Sequence, residues 1–303
     1  MRTIQFINQG LALMLMWLLI ARLMVGLTHT LYWRWMFSPS DFLKRLKGKR
    51  LVLVGDSINR NQFESLLCIL REALTNKSRM YKIHGYNIAK GRGYYVFKFK
   101  DYDCTAEFVR SHFLVREGIR INPQGNSNPT LSIDRREMTF LSSIRGIDGL
   151  MERLPGCNHI YPIFNVVEAY RRALKTWAKR VDENMSRENL IIYRGYTLAH
   201  YRRNWDSGGS GSKETGPVWR GAILGKYPLK IKIMEEVIKE IRMSVVLLNV
   251  TQLTNFRKDS HPSVYGKVAA GGRRARQDCS HWCLSGIPNA WNELIYATLV
   301  LQR

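Results

Sequence analysis

The sequence has 303 residues, 45% of them hydrophobic, which is enough to bury one large core or two small ones. Its formal net charge of +23 at pH 7 indicates either an anionic partner, such as nucleic acid, an anionic membrane face or an acidic polysaccharide, or a basic surface without a dedicated partner. The sequence has no zinc-finger spacing, RNP motif or basic helix with heptads, which disfavours nucleic acid.

The first apolar segment lies near the amino terminus. Residues 11–21 carry no charge, and after Arg22 the apolar run continues to Leu27. This run is long enough to span a bilayer, and no Asp or Glu precedes Asp41. A cleaved signal peptide and a core helix are the alternatives. We expect a membrane-spanning signal anchor.

The next element is an apolar run that ends in a Gly-Asp-Ser sequence. Residues 51–54 are all apolar, Gly55, Asp56 and Ser57 follow, and apolar residues then recur at helical spacing up to Leu74. This pattern predicts a buried strand, a tight turn and a helix. Ser57 would lie at the carboxyl end of the strand and the amino end of the helix. Ligands bind at this place in open α/β sheets, and free amides there can stabilise an oxyanion.

Further along, strands and helices alternate. We expect strands at 94–99, 104–109, 113–115, 190–194 and 244–250, and helices around 167–181, 231–241 and 291–299. Residues 135–165 are the exception, because a doubly wound sheet needs another apolar strand there and this segment does not contain a clear one.

An Asp-x-x-His sequence lies near the carboxyl terminus. Asp278 and His281 are three residues apart, so their side chains face the same way on one helical turn or in a compact loop. His281 can act as a general base toward a serine, and Asp278 can fix its tautomer and orientation. With Ser57 they complete a nucleophile, base and orienting acid. His261 is a rival base, but it lacks a matching Asp.

Each motif alone has an ordinary structural interpretation. A Gly-Asp-Ser sequence is usually a plain strand-to-helix turn, and an Asp-x-x-His sequence is more often a surface turn or a cap. The flanking residues change this interpretation. The segments 55–62 and 278–294 together resemble the plant trichome-birefringence-like family. Similarity also extends over 101–108, 169–178, 247–251 and 258–265, and covers most of residues 40–303.

The resemblance implies a fold and an activity. The expected fold is an α/β three-layer sandwich with a mostly parallel sheet, like that of SGNH hydrolases and of the PC-esterase domain, preceded by one transmembrane helix. The expected activity is O-acetyl transfer through an acetyl-Ser57 enzyme to a cell-wall polysaccharide, most of all xylan. Polysaccharide acetylesterase activity and a catalytically impaired glycan-binding protein of the Golgi are the alternatives. No bound cofactor or metal is expected, but an acetyl donor is required, with acetyl-CoA as one candidate.

Further residues are expected to bind the oxyanion or the substrate. The Ser57 amide, with Asn59 or Asn61, would support the oxyanion. Residues 196–209 follow a predicted strand, so their aromatic and basic side chains would contact glycan, or else form a solvated loop with one packed Trp. The expected oxyanion and substrate-binding residues are Asn59, Arg60, Asn61, His200, Arg202 and Trp205.

The resemblance also implies a type II Golgi membrane protein with a lumenal catalytic domain. The predicted segments are a cytoplasmic tail with the signal anchor, a truncated stem and the catalytic domain: residues 1–30, 31–48 and 49–303. Glycosylation sequons at Asn76, Asn184 and Asn249 permit this location. Five cysteines leave at least one unpaired. Cys68 is expected to be a buried thiol, and disulfides at Cys279 and Cys283 would hold His281.

Besides the truncated stem, two segments depart from the family pattern. After Gly149 the sequence diverges, and the family's Asn-Thr-Gly-His-Trp-Trp motif is absent from 149–160. An Asn at this place lends an oxyanion donor in SGNH-type enzymes, and loss of one such donor typically costs about a hundred- to a thousand-fold in rate. We interpret the loss as a splice error, exon loss or faulty gene model, which sequencing of the transcript tests. After Gly209 the family carries Cys-His, whereas Gly211 and Ser212 stand here.

Overall fold

The computed structural model describes residues 37–84, 93–121, 124–125, 127–136, 165–201, 211, 213–218, 227–264, 277–284 and 286–301. The expected signal anchor, the segment 137–164, and Arg202 and Trp205 lie outside the described residues. No helix in the described ranges is long and apolar enough to span a membrane.

The described chain contains five consecutive strands in its middle, and helices and strands alternate before and after them. The helices are α1 (Pro39–Arg45), α2 (Ser57–Glu72), α3 (Val166–Asn184), α4 (Leu229–Glu240), α5 (Thr251–Asn255) and α6 (Ile287–Leu301). The strands are β1 (Arg50–Gly55), β2 (Met80–His84), β3 (Tyr94–Phe99), β4 (Cys104–Arg110), β5 (Val115–Ile121), β6 (Ser127–Arg136), β7 (Ile191–Arg194) and β8 (Val245–Leu248). This order is that of an α/β fold.

The sheets are mixed, so the expectation of a mostly parallel sheet is wrong for the described strands. Four strands lie in the order β1-β4-β3-β2, with β1 and β4 parallel and the other two pairs antiparallel. The pair β7–β8 is parallel, and β5–β6 is an antiparallel hairpin. A short turn, Lys100–Tyr102 with left-handed Asp103, joins β3 to β4. Parallel strands need a crossover of a dozen or more residues, so this turn enforces antiparallel pairing.

Strands β7 and β8 lie between two layers of helices. Alternate side chains along a strand point to opposite faces of the sheet. On one face, Ile192, Val246 and Leu248 pack with α1, α2 and α6. On the other face, Ile191, Tyr193, Val245 and Leu247 pack with α3 and α4. The packing is therefore that of a helix–sheet–helix sandwich.

The helix α1 lies within the segment predicted as a stem, yet it packs as part of the domain. Phe42 and Leu43 are fully buried in the same core as α2 and α6. The ring of Tyr296 on α6 stacks on Phe42, and its hydroxyl donates to Asp41 at 2.8 Å. The residues around 39–45 therefore help to hold the last helix in place.

The helices α2 and α6 also share a buried polar network. Asn292 Nδ2 donates to the carbonyl oxygen of Gln62 and to Ser65 Oγ, both at 3.2 Å, and Ser65 Oγ donates to Asn289 Oδ1. These bonds fix the rotation of α6 against α2, because each donor and acceptor needs its partner when it is buried. The beginning and the end of the domain are thereby joined.

Candidate active site

The turn between β1 and α2 is tight. A Cβ atom on Gly55 would lie 2.5 Å from the side chain of Asn59, so only glycine fits at this position. Asn59 Nδ2 donates to the carbonyl oxygen of Val54 at 2.7 Å, which ties the first turn of α2 to the end of β1. Asp56 caps α2 by accepting from the amides of Ile58 and Asn59 at 2.9 and 3.4 Å. This turn sets Ser57 at the first position of the helix.

The three residues predicted as nucleophile, base and orienting acid lie together. Ser57 Oγ is 2.8 Å from His281 Nε2, and His281 Nδ1 is 3.0 Å from Asp278 Oδ2. Because a carboxylate only accepts, His281 Nδ1 carries the proton, and Nε2 has a lone pair for the hydroxyl of Ser57. This arrangement can remove a proton from Ser57 as it attacks an acyl carbon.

Asp278 also organises its own loop. Its Oδ1 accepts from the main-chain amides of Ser280 and His281 at 3.3 and 3.1 Å, and from Ser280 Oγ at 3.2 Å. Burial by itself would raise the pKa of Asp278, but the hydrogen bonds from His281 and Ser280 outweigh it. The pKa of Asp278 therefore lies well below its ordinary value, and the carboxylate is ionised at neutral pH.

The loop that carries His281 is fixed from three sides. The main-chain amide of Trp282 donates to Asn61 Oδ1 on α2 at 2.9 Å. Ser263 and Asp278 exchange main-chain hydrogen bonds of 2.8 and 2.9 Å. The amide of His200 donates to the carbonyl oxygen of Cys279 at 2.9 Å. Main-chain hydrogen bonds and one Asn side chain thus position the base relative to Ser57.

The predicted oxyanion residues take part in the framework of the site. Asn59 is bound to β1, and its Oδ1 accepts from Arg194 Nη2. Asn61 uses its Oδ1 for Trp282, which leaves its Nδ2 as the candidate donor to an oxyanion. Arg60 forms an ion pair with Glu64 at 3.4 Å along α2. The oxyanion role of these side chains stays a prediction.

The expected contact between His200 and a glycan does not fit the structure. His200 has no exposed surface, and its Nδ1 lies 2.7 Å from Nε2 of His261. A ring without an exposed face cannot stack on a sugar, so His200 belongs to the interior behind the site. Arg202 and Trp205, predicted in the same loop, lie outside the described residues.

Two residues at the site were missed in the prediction. Arg194, at the end of β7, donates to Asn59 and lies 4.9 Å from the ring centre of Trp291. Burial lowers the pKa of Arg194 from its ordinary value. Its position at the carboxyl end of a predicted strand was a usable signal. The second is His261, which the sequence offers only as a rival base and which contacts the main chain of His281 instead.

Disulfides do not hold the loop in the described structure, contrary to the expectation. Cys68, Cys104, Cys279 and Cys283 are all free thiols. Cys68 is exposed rather than buried, because it lies on the outer face of α2. A Cβ atom on Gly211 would lie 3.7 Å from Cys279 Sγ. A cysteine at position 211, where the family resemblance implies one, would therefore lie beside Cys279. Within the described ranges, no three His, Cys, Asp or Glu side chains are grouped to bind a metal.

Substitution of Asp278 by Asn should destabilise the fold in a pH-dependent way. Loss of hydrogen bonds to a charged group should lower the free energy of unfolding at pH 7 by about 2 kcal/mol. A lowered pKa in the folded state contributes stability above the unfolded value of about 3.9, and this contribution is lost as pH falls further. In urea denaturation, the free energy of unfolding of the wild type should therefore fall towards that of the variant below about pH 4. Asp101→Asn removes one partner of an exposed ion pair, so it should change the free energy of unfolding only slightly and serves as the control. A difference unchanged from pH 7 to pH 3 would contradict this assignment.

A Gly211→Cys variant should form a disulfide with Cys279. The sulfur of a disulfide lies about 3 Å from the partner Cβ, so Cys279 Sγ needs to move by less than an ångström, and the carbonyl oxygen of Lys258, 3.1 Å from the same Cβ, needs to shift by a few tenths of an ångström. We expect one fewer free thiol than in the wild type, and stabilisation by about 2–4 kcal/mol. Gly216→Cys, whose Cβ would meet nothing within 4 Å, should instead add one free thiol. An added thiol in both variants would show that the two positions are too far apart.

Comparison with known proteins identifies the family of the chain. The PC-esterase model, described as a GDSL/SGNH-like acyl-esterase family found in Pmr5 and Cas1p, matches residues 36–152 and 151–298. The two matches meet within the segment 149–160, where the family motif is absent.

Similar proteins come from Arabidopsis thaliana. Protein trichome birefringence is 37% identical over 86% of this chain and 46% of its own length. Protein trichome birefringence-like 4 is 39% identical over 88% of this chain and 64% of its own length, and protein trichome birefringence-like 42 is 31% identical over 89% and 78%. The chain thus spans about half to two-thirds of the length of the first two. It belongs to the PC-esterase family of GDSL/SGNH-like acyl-esterases, with the trichome birefringence-like proteins.

Proposed function

We propose that this chain is an O-acetyltransferase that moves an acetyl group through Ser57 to a hydroxyl of a polysaccharide. The observation that carries the proposal is the line of contacts from Ser57 Oγ to His281 Nε2 at 2.8 Å and from His281 Nδ1 to Asp278 at 3.0 Å. Membership of an acyl-esterase family supports the same chemistry.

The proposed reaction has two halves. Ser57 Oγ attacks the acetyl carbonyl carbon of the donor and gives its proton to His281 Nε2, and Asp278 stabilises the resulting imidazolium. His281 then protonates the leaving group, and acetyl-Ser57 remains. A sugar hydroxyl attacks this ester, gives its proton to His281, and Ser57 regains a proton as the acetylated sugar leaves.

The oxyanion would form beside the first turn of α2. Asp56 accepts from the amides of Ile58 and Asn59, so the cap does not use the amide of Ser57. That amide lies at the positive end of the α2 dipole and is our candidate oxyanion donor, with Asn61 Nδ2 as the second. Because the family motif is absent from 149–160, we expect slower acetyl transfer than in relatives that carry it.

The acceptor is proposed from the resemblance and from charge. Xylan is the polysaccharide that the resemblance implies, and the net charge of +23 favours an acidic one. Hydrolysis is the second candidate reaction, because the side chain of His281 is 34% exposed and water can reach it. With water in place of the sugar, the same steps release acetate, which is the activity of an acetylesterase.

The nucleophile is tested by trapping the acetyl-enzyme. The full chain, in detergent, is incubated with acetyl-CoA or another acetyl donor and digested, and the peptide with Ser57 is examined by mass spectrometry. The wild type and Ser78→Ala, at an exposed serine, should carry the acetyl group, whereas Ser57→Ala should not. Transfer to xylan oligosaccharides then separates transferase from esterase, which would release only acetate. Folded wild type without acetyl-Ser57 would contradict the proposal and favour a catalytically impaired glycan-binding protein.

We also propose a single-pass type II Golgi membrane protein with a lumenal domain that carries a glycan at Asn76. Asn76 and Ser78 are exposed, and Asn76 Oδ1 accepts from the amide and hydroxyl of Ser78 at 3.0 and 2.7 Å. Asn249 is a poor acceptor, since its Nδ2 donates to Tyr227 at 2.7 Å and Thr251 is buried. Asn184 Nδ2 donates to the main-chain carbonyl oxygen of Arg180 at the end of α3, at 2.9 Å.

The location is tested by translation of the full chain with microsomes. The wild type should lose mass on treatment with peptide N-glycosidase, and Asn76→Gln should abolish this loss. Asn249→Gln is the matched control and should leave the shift unchanged. If the domain is protected by the membrane but carries no glycan, the Asn76 assignment is wrong; if protease added outside digests the domain, the lumenal orientation is wrong.

A further inference from the structure

A line of close polar contacts leads from α5 to the main chain of His281. His261 Nδ1 lies 2.6 Å from the carbonyl oxygen of His281, and His261 Nε2 lies 2.7 Å from His200 Nδ1. His200 Nε2 in turn lies 3.2 Å from the carbonyl oxygen of Asn255, the last residue of α5. Two buried histidines thus connect the base of the site to the domain interior.

The acceptors fix where the protons lie. A carbonyl oxygen only accepts, so His261 Nδ1 must donate to His281. In a neutral ring the Nε2 atom of His261 then has a lone pair, which accepts from Nδ1–H of His200. The direction of donation is therefore from His200 to His261 and from His261 to the main chain of His281.

Burial keeps the His261 ring neutral. Desolvation lowers the pKa of His261 to about 4, and it also lowers the pKa of His200. The charged groups that face His261 are Asp278 and Asp259, and those that face His200 are Lys258, Asp259 and Glu214. Because a neutral His200 carries its single proton on Nδ1, its Nε2 does not donate to Asn255 O, and that 3.2 Å approach is a polar contact.

Packing restricts the ring of His261 to one orientation. Its centre lies 4.1 Å from that of Trp282, at an interplanar angle of 31°, and Trp282 contacts Trp291 of α6 edge to face. Both tryptophans have 1% or less of their surface exposed. The ring of His261 therefore cannot turn away from His281 without disturbing the core beneath the loop.

We propose that His261, supported by His200, is a positioning residue for the base of the site. By donation to the carbonyl oxygen of His281, it holds the main chain of the loop so that Nε2 of His281 stays within reach of Ser57. This inference rests on the proposed acyl transfer at Ser57. It gives His261 a role distinct from that of a base, because both of its ring nitrogens are used within the protein.

A pair of variants separates the hydrogen bond from packing. His261→Asn places an N–H near the position of Nδ1, whereas His261→Leu fills a similar volume without a donor. Misplacement of a catalytic group by about 1 Å costs about a hundred-fold in rate. For acetyl transfer to xylan oligosaccharides, we expect His261→Leu to lower kcat about 10- to 100-fold at unchanged KM. The kcat of His261→Asn should remain within about three-fold of the wild type. His84→Leu, at an exposed position on β2, should have no effect. Equal loss in His261→Leu and His261→Asn would overturn the proposal.

A second measurement does not depend on activity. In full chain labelled with ¹⁵N-histidine, nuclear magnetic resonance distinguishes the two neutral tautomers and the charged ring. We expect His261 as the Nδ1–H tautomer, neutral from pH 7 to pH 5, and a change in the His281 Nε2 signal in His261→Leu but not in His261→Asn. An Nε2–H tautomer, or a charged ring near pH 6, would overturn the proposal. If Ser57 of the wild type fails to react with a fluorophosphonate while these signals are as expected, the proposed function fails and the positioning of His281 stands.

Discussion

The hydrogen bond between Ser57 and His281 depends on the contact between the first long helix and the last. The two residues are 224 positions apart, and neither lies in a segment that could meet the other without the packing of α2 on α6. The buried network of Ser65, Asn289 and Asn292 fixes this packing, and Asn61 extends it to the loop through the amide of Trp282. A shift of one helix along the other would break the site before it exposed much apolar surface.

Hydrogen bonds to main-chain groups, rather than covalent links, hold the His281 loop. Asp278 combines a catalytic orientation with local structure, since one of its oxygens accepts from two amides and the other lies beside the imidazole. The pair of main-chain bonds with Ser263 continues this arrangement. A charged acceptor buried among donors is stable only while it is ionised. The position of His281 therefore depends on the ionisation of Asp278.

Much of the site could be predicted from the sequence, because its signals are local. The apolar run before Gly55 and the helical spacing after Ser57 indicated the turn, and the spacing of Asp278 and His281 indicated their contact. The antiparallel strands were missed although the four residues between the predicted strands 94–99 and 104–109 are too few for a parallel crossover, because the expectation of a parallel sheet came from the family resemblance. The burial of His200 was missed for a different reason. A polar loop after a strand is typical of a solvated surface, and distant segments, among them those of His261 and Asn255, cover His200 here.

The separation of Ser57 and His281 along the chain also has a consequence for synthesis of the protein. Contacts between distant segments form late, because loop closure has an entropic cost that local contacts do not share. A nascent chain that ends before α6 has the nucleophile but not the complete docking surface for the loop that carries its base. Reactivity at Ser57 should therefore arise only once the carboxyl-terminal helix has emerged and packed. A covalent serine probe would then count finished molecules and leave partly made ones unlabelled.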